Sequence, residues 1–176
     1  SILYYTVTML YCRGLARLLT SARDFDEAMD LAASGRESNV NMTVGDIYGN
    51  EELSKLGLHG ALTASFFAKV SQKEDPREGV GEGDLARALI MMIAQNITQV
   101  AYLNAKIHNC KRIFFTGNFL RHNKVAMQTL VDQMQRWNAL ELQRERGERR
   151  EEREEKRNRE ESMLGVGGEI VDEGAG

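Results

Sequence analysis

Cysteine, proline and long apolar runs are scarce here, and each scarcity excludes something. Cys12 and Cys110 are the only two cysteines, and they stand far apart and match no metal-ligand spacing, so they read as small buried hydrophobes. No apolar stretch is long enough for a bilayer-spanning helix. The first residues lack the basic start and small-residue cleavage site of a secretory signal. No charge sign dominates either: 23 Lys and Arg face 26 Asp and Glu, for a net charge of −3. That balance gives no reason to expect nucleic acid or an anionic membrane as a partner. The single proline, Pro76, falls in Ser71–Gly83, a stretch with three glycines and many charges that reads as a surface loop.

What is present suits one ordinary globular domain: 176 residues, 42% hydrophobic and 28% charged. The rest is organised around Asp84–Arg121. Leu85, Leu89, Met92, Ile93, Asn96, Val100 and Leu103 recur at helical spacing, with Asp84 as N-cap and Gly83 before it. A helix to Ala105 would be roughly 30 Å long, and apolar residues at flanking positions make it a core helix rather than a coiled-coil seam. Arg112–Thr116 follows as a strand, since Ile113, Phe114 and Phe115 form the continuous apolar run of a strand covered on both faces. Gly117-Asn118 breaks the pattern, and Ala126, Met127, Leu130, Val131, Met134 and Trp137 resume a helical period. A glycine after such a strand either makes a tight turn or lets a ligand approach the backbone, where Asn118 could offer its amide.

Ser1–Cys12 is β-prone and reads as a strand or hairpin arm, whereas Arg13–Leu19 is more helical, with Leu15, Leu18 and Leu19 on one face. Asp24–Ala33 is a short helix with Asp24 and Glu27 at capping-box spacing, an inner face of Phe25, Ala28, Met29 and Ala32, and Gly35 at its end. Residues 1–140 thus form one domain and 141–176 a tail. Within the tail, Glu141–Glu161 alternates acidic and basic residues, with i,i+4 pairs such as Glu145–Arg149, and reads as a solvated helix or disordered segment. Ser162–Gly176 is glycine-rich and acidic and reads as disordered.

Ile113–Arg121, IFFTGNFLR, resembles the strand and turn of the eukaryotic-type (type II) pantothenate kinases. Asp84-Leu85-Ala86-Arg87-Ala88 with Asn96-Ile97 is similar to that family's preceding helix. Asp46-Ile47-Tyr48-Gly49 resembles its Asp-Ile-Tyr-Gly motif, and Gly57-Leu58, Gly60 and Ala64-Ser65…Phe67…Lys69 resemble its Gly-Leu-x-Gly…Ala-Ser-Ser-Phe-Gly-Lys segment. The motifs stand in the family's order over about Gly14–Trp137 and match its later part only.

The resemblance implies an α/β fold, a partial actin/hexokinase-like (ribonuclease H-like) lobe. It also implies transfer of the ATP γ-phosphoryl to pantothenate in coenzyme A synthesis, with Mg²⁺, in a cytoplasmic homodimer that acyl-CoA inhibits. Gly117 and Asn118 are then expected at the nucleotide, and Tyr48, Ala64, Ser65 and Trp137 around pantothenate. Tyr48 reads equally as a core aromatic, and Trp137, at helical spacing, reads more readily as one. The family's Gly-Gly-Gly-Thr loop is replaced by Met9–Arg13, its second serine by Phe66 and its glycine by Ala68. The family's phosphate loop and catalytic glutamate lie in a first lobe that has no counterpart here, so no catalytic residue is assigned. The alternative is a non-catalytic binding or dimerisation module derived from the same fold.

Overall fold

A computed structural model describes residues 2–49 and 60–165, with side chains from 10–49 and 60–161. Along the chain run α1 (Ile2–Leu19), α2 (Phe25–Ser34), a 3-10 turn (Glu37–Asn39), β1 (Met42–Thr43), α3 (44–49), β2 (Thr63–Ser65), α4 (Ala68–Ser71), α5 (Glu82–Ile107) and α6 (Lys124–Gly165). The architecture is mostly helical, and the one sheet among the described residues is the antiparallel pair β1–β2. Two compact units are present, Ser1–Met134 and Gln135–Gly176.

The core of the first unit is built on the front half of α5. Leu85, Ala86, Ala88, Leu89, Ile90, Ile93, Ala94, Ile97 and Thr98 are all buried, almost all round the helix. Cys12 and Ala16 of α1 and Phe25, Ala28 and Ala32 of α2 pack into the same cluster. Two glycines set the approach of α2 to α5. A Cβ on Gly35 would lie 2.0 Å from the Gly83 carbonyl oxygen, and one on Gly83 would lie 2.7 Å from that of Leu31. Only backbone fits there.

Asp84 sits inside the first turn of α5 rather than at its N-cap. Its carboxylate accepts from the backbone N–H of Arg36 (2.6 Å) and Gly81 (3.1 Å) and from the Asn39 amide (2.8 Å). Partial burial alone would raise its pKa, but these donors outweigh it and lower it. One turn later Arg87 pairs with Glu37 (2.6 Å) and donates to the Ala32 carbonyl at the end of α2. Asp24 caps α2 as its sequence implies, accepting from the Glu27 N–H at 2.9 Å. The Glu27 carboxylate reaches back to the Arg23 N–H rather than to the cap.

Three further expectations fail. Ile2–Leu19 is one helix, not a strand followed by a helix, and its buried side carries Cys12 and Ala16, leaving Leu18 78% exposed. β-Branched and aromatic residues give only a weak preference, and burying small residues against α5 overrides it here. Asn96, Val100 and Leu103 are exposed on α5, because the packing partners of that helix end near Thr98. Arg112–Thr116 is not a strand: no ladder pairs with it among the described residues, and Phe114 is 80% exposed. The apolar run marks a segment suited to a sheet, but a strand needs neighbours to satisfy its backbone.

Candidate functional site

The Asp-Ile-Tyr-Gly segment and the Ala-Ser-Phe-Phe-Ala-Lys segment close on each other. Met42 pairs with Ser65 and Thr43 with Thr63 across β1–β2. The Val44 N–H donates to the Leu62 carbonyl (2.7 Å) and the Gly45 N–H to that of Gly60 (2.9 Å). Gly45 suits this approach, since a Cβ there would sit 3.0 Å from the Gly60 oxygen and that backbone would have to give way. The start of α3 is capped reciprocally. Asp46 accepts from the Thr43 N–H and hydroxyl (2.7 and 2.8 Å), and its own N–H donates to the Thr43 oxygen.

Lys69 fastens this corner. Its ammonium lies 2.8 Å from the Asp46 carboxylate and donates to the Ser38 carbonyl, while its N–H donates to the Val40 carbonyl. The Lys69 bond, reinforced by both Thr43 donors, lowers the Asp46 pKa from 3.8 to about 2. Asp46 is therefore an ionised, occupied anchor and a poor base at neutral pH. Beneath it, buried Asn41 accepts the Phe67 N–H at 3.0 Å, which fixes its orientation and leaves the Nδ2 group with no partner. Phe67 takes φ +59, so the left-handed residue of this turn is Phe67, whereas Ala68 begins α4. Val40, Leu85 and Ala88 form the apolar floor, with Phe67 and Val70 packed against it.

Tyr48, Ala64 and Ser65 belong to this closed corner, all three exposed, Tyr48 by 51%. Gly57-Leu58 falls outside the described residues. Gly117 and Asn118 stand elsewhere, on the exposed loop between α5 and α6. Gly117 has φ +118 and nothing within 4 Å of a Cβ position, so conformation rather than crowding demands glycine there. The loop then turns through Leu120 N–H to Gly117 carbonyl and Arg121 N–H to Asn118 carbonyl contacts. Buried Asn123 closes it, accepting the Ala126 N–H and donating to the Phe119 carbonyl. Trp137 is half-buried in the second unit. Sequence reasoning missed Asn41 and the pairing of Lys69 with Asp46. The Thr43-x-x-Asp46 spacing was an available capping signal; no local signal pairs residues 46 and 69.

Among the described residues no three His, Cys, Asp or Glu side chains gather as a metal site, and Asp46 is already engaged. These residues do not fit Mg²⁺. Nor do they make a nucleotide cradle: one open glycine supplies a fraction of the N–H donors that phosphates require, and the α6 N-terminus is capped by its own Asn123. Cys12 offers no nucleophile, since burial pushes its thiol up to about 12.

A model of the Fumble family matches residues 11–145, which include both segments of the closed corner and the Gly117 loop. Pantothenate kinase of Schizosaccharomyces pombe is 40% identical over 126 residues, 71% of this chain and 31% of the relative. Pantothenate kinase 1 of Arabidopsis thaliana is 41% identical over 125 residues, 71% of this chain and 33% of the relative. A mouse protein named 4'-phosphopantetheine phosphatase is 44% identical over 118 residues, 67% of this chain and 14% of its own length. The chain belongs to the Fumble family, the family of the pantothenate kinases. It spans a third or less of the length of these relatives.

Proposed function

We infer that this chain carries the later part of a pantothenate kinase, an enzyme that phosphorylates pantothenate with ATP in coenzyme A synthesis. Family membership over residues 11–145 carries the reading, with relatives named pantothenate kinase at about 40% identity. In this reading the chain forms part of an actin/hexokinase-like α/β lobe. Tyr48, Ala64 and Ser65 line the pantothenate end of the site, Trp137 is a further substrate-side residue, and Gly117 and Asn118 face the nucleotide. The phosphate loop, the base and the Mg²⁺ ligands come from a first lobe, which is why no described residue qualifies for those roles. A cytoplasmic homodimer with acyl-CoA as inhibitor completes it.

The assay is phosphorylation of pantothenate by ATP and Mg²⁺, read by mass spectrometry, with protein purified from cells lacking their own pantothenate kinase. The chain alone is expected to give no product, and to give product when joined to the first lobe of a relative. Product from the chain alone would overturn the assignment of the chemistry to that lobe. A folded but inactive fusion would move the chain to the second reading, a binding or dimerisation module without kinase activity. That second reading draws support from the mouse relative, which is named a phosphatase and not a kinase.

A further inference from the structure

The charged part of α6 extends beyond the family match, which ends at residue 145. Along the sequence its charges nearly cancel, but around the helix most of them separate, apart from Glu160 on the basic side and Arg144 and Arg159 on the acidic side. Arg146, Arg149, Arg150, Arg153, Lys156 and Arg157 lie 3, 4, 7, 10 and 11 positions on from the first, the spacing of one helical face. Glu148, Glu151, Glu152 and Glu155 occupy the opposite side. Four of the arginines, Arg146, Arg149, Arg150 and Arg153, line one shallow recess of about 340 Å³ with no carboxylate in its wall. Arg149 and Arg150 also pair with flanking Glu145 and Glu154, at 3.6 and 3.1 Å, and Lys156 and Arg157 with Glu160 and Glu161, both at 3.9 Å. Arg146 and Arg153 have no partner among the described residues.

We propose that this arginine face binds the phosphate backbone of a nucleic acid, lying along it from one side without reading sequence. Cationic groups recur at every turn, about 5.4 Å apart, for roughly 16 Å of helix. Five of the six are arginines, whose planar fork suits phosphate oxygens. No apolar residue falls between Leu142 and Met163, so this part of the helix has no apolar side with which to enter a membrane. The glutamate side would repel phosphates in a groove that wrapped the helix, which leaves the one-sided approach. The whole-chain charge of −3 conceals this face.

The test is fluorescence anisotropy of a labelled RNA oligonucleotide with the full chain at 50 and 200 mM salt. Four phosphate contacts predict an affinity loss on the order of 10²-fold across that range. Arg146→Gln with Arg153→Gln is expected to cut the salt slope by about half, with the helix retained by far-UV circular dichroism. Glu148→Gln with Glu155→Gln is expected to leave binding intact or tighten it. No binding at 50 mM salt, or a slope unchanged in the arginine double variant, overturns the proposal. So does equal binding to phosphatidylserine vesicles. Self-association in the ultracentrifuge that the arginine variant abolishes while RNA binding persists would assign the face to a second copy instead.

Discussion

Two stretches carry this family's motifs, and they end in opposite states. Residues 42–49 and 60–69 close on each other through β1–β2, the Asp46–Lys69 pair and the Asn41–Phe67 bond. Ile113–Thr116 has the stronger apolar signal and stays open, with Phe114 in solvent. The difference is one of supply. An antiparallel pair needs two strands and the chain provides both within some twenty residues. A strand buried on both faces needs strand neighbours to pair with, and among the described residues none is present; Phe115 alone packs against the core.

That contrast can be broken from beneath. Leu89 is buried in the α5 core on which both regions depend, and Leu89→Ala should destabilise the fold by about 3 kcal/mol, measured by urea denaturation. A loss under about 1 kcal/mol would mean that α5 does not organise the core. Asn41→Ala, next in size, strips the Phe67 N–H of its acceptor at a buried site and should cost about 2 kcal/mol. The lone Nδ2 group is removed at the same time, which keeps the cost below that of breaking a fully bonded amide.

Asp46→Asn is smaller, about 1 kcal/mol, because the carboxylate is partly exposed and its pair with Lys69 is screened by solvent. Its pH signature is specific. The folded pKa is depressed to about 2 from 3.8, so the stabilisation is fully present above pH 4 and is lost as pH falls toward 2. Wild type and Asp46→Asn should therefore converge in stability over that window, and parallel curves would contradict the anchor role. Phe114→Ser is the smallest. With the ring 80% exposed, the change should stay within about 0.5 kcal/mol, and a loss above 2 would show the ring to be packed.

The helices were legible where sequence carries both period and punctuation. Asp24 and Glu27 announced α2, and the Leu85–Leu89–Ile93 spacing announced α5. Period did not reveal where burial stops: Val100 and Leu103 continue the stripe after the core has ended. Nor did composition locate α1, because Ile2–Tyr11 favours strand locally while the packing of Cys12 and Ala16 favours helix. The Gly35–Gly83 approach and the Asp46–Lys69 pair were invisible, since each joins residues far apart in sequence whose types fit many local roles. The motif residues identified the family without revealing which of them would meet. Tyr48, Ala64 and Ser65 share one corner, and Gly117 and Asn118 stand on another loop.

Amide hydrogen exchange read by mass spectrometry compares the two stretches in one experiment. Slow exchange is expected at Thr43, Val44, Gly45, Phe67 and Lys69, whose N–H groups are all bonded within the closed corner. Unprotected exchange is expected across Ile113–Thr116. Protection of Ile113–Thr116 equal to that of the corner would contradict it, for those amides would then have found a sheet.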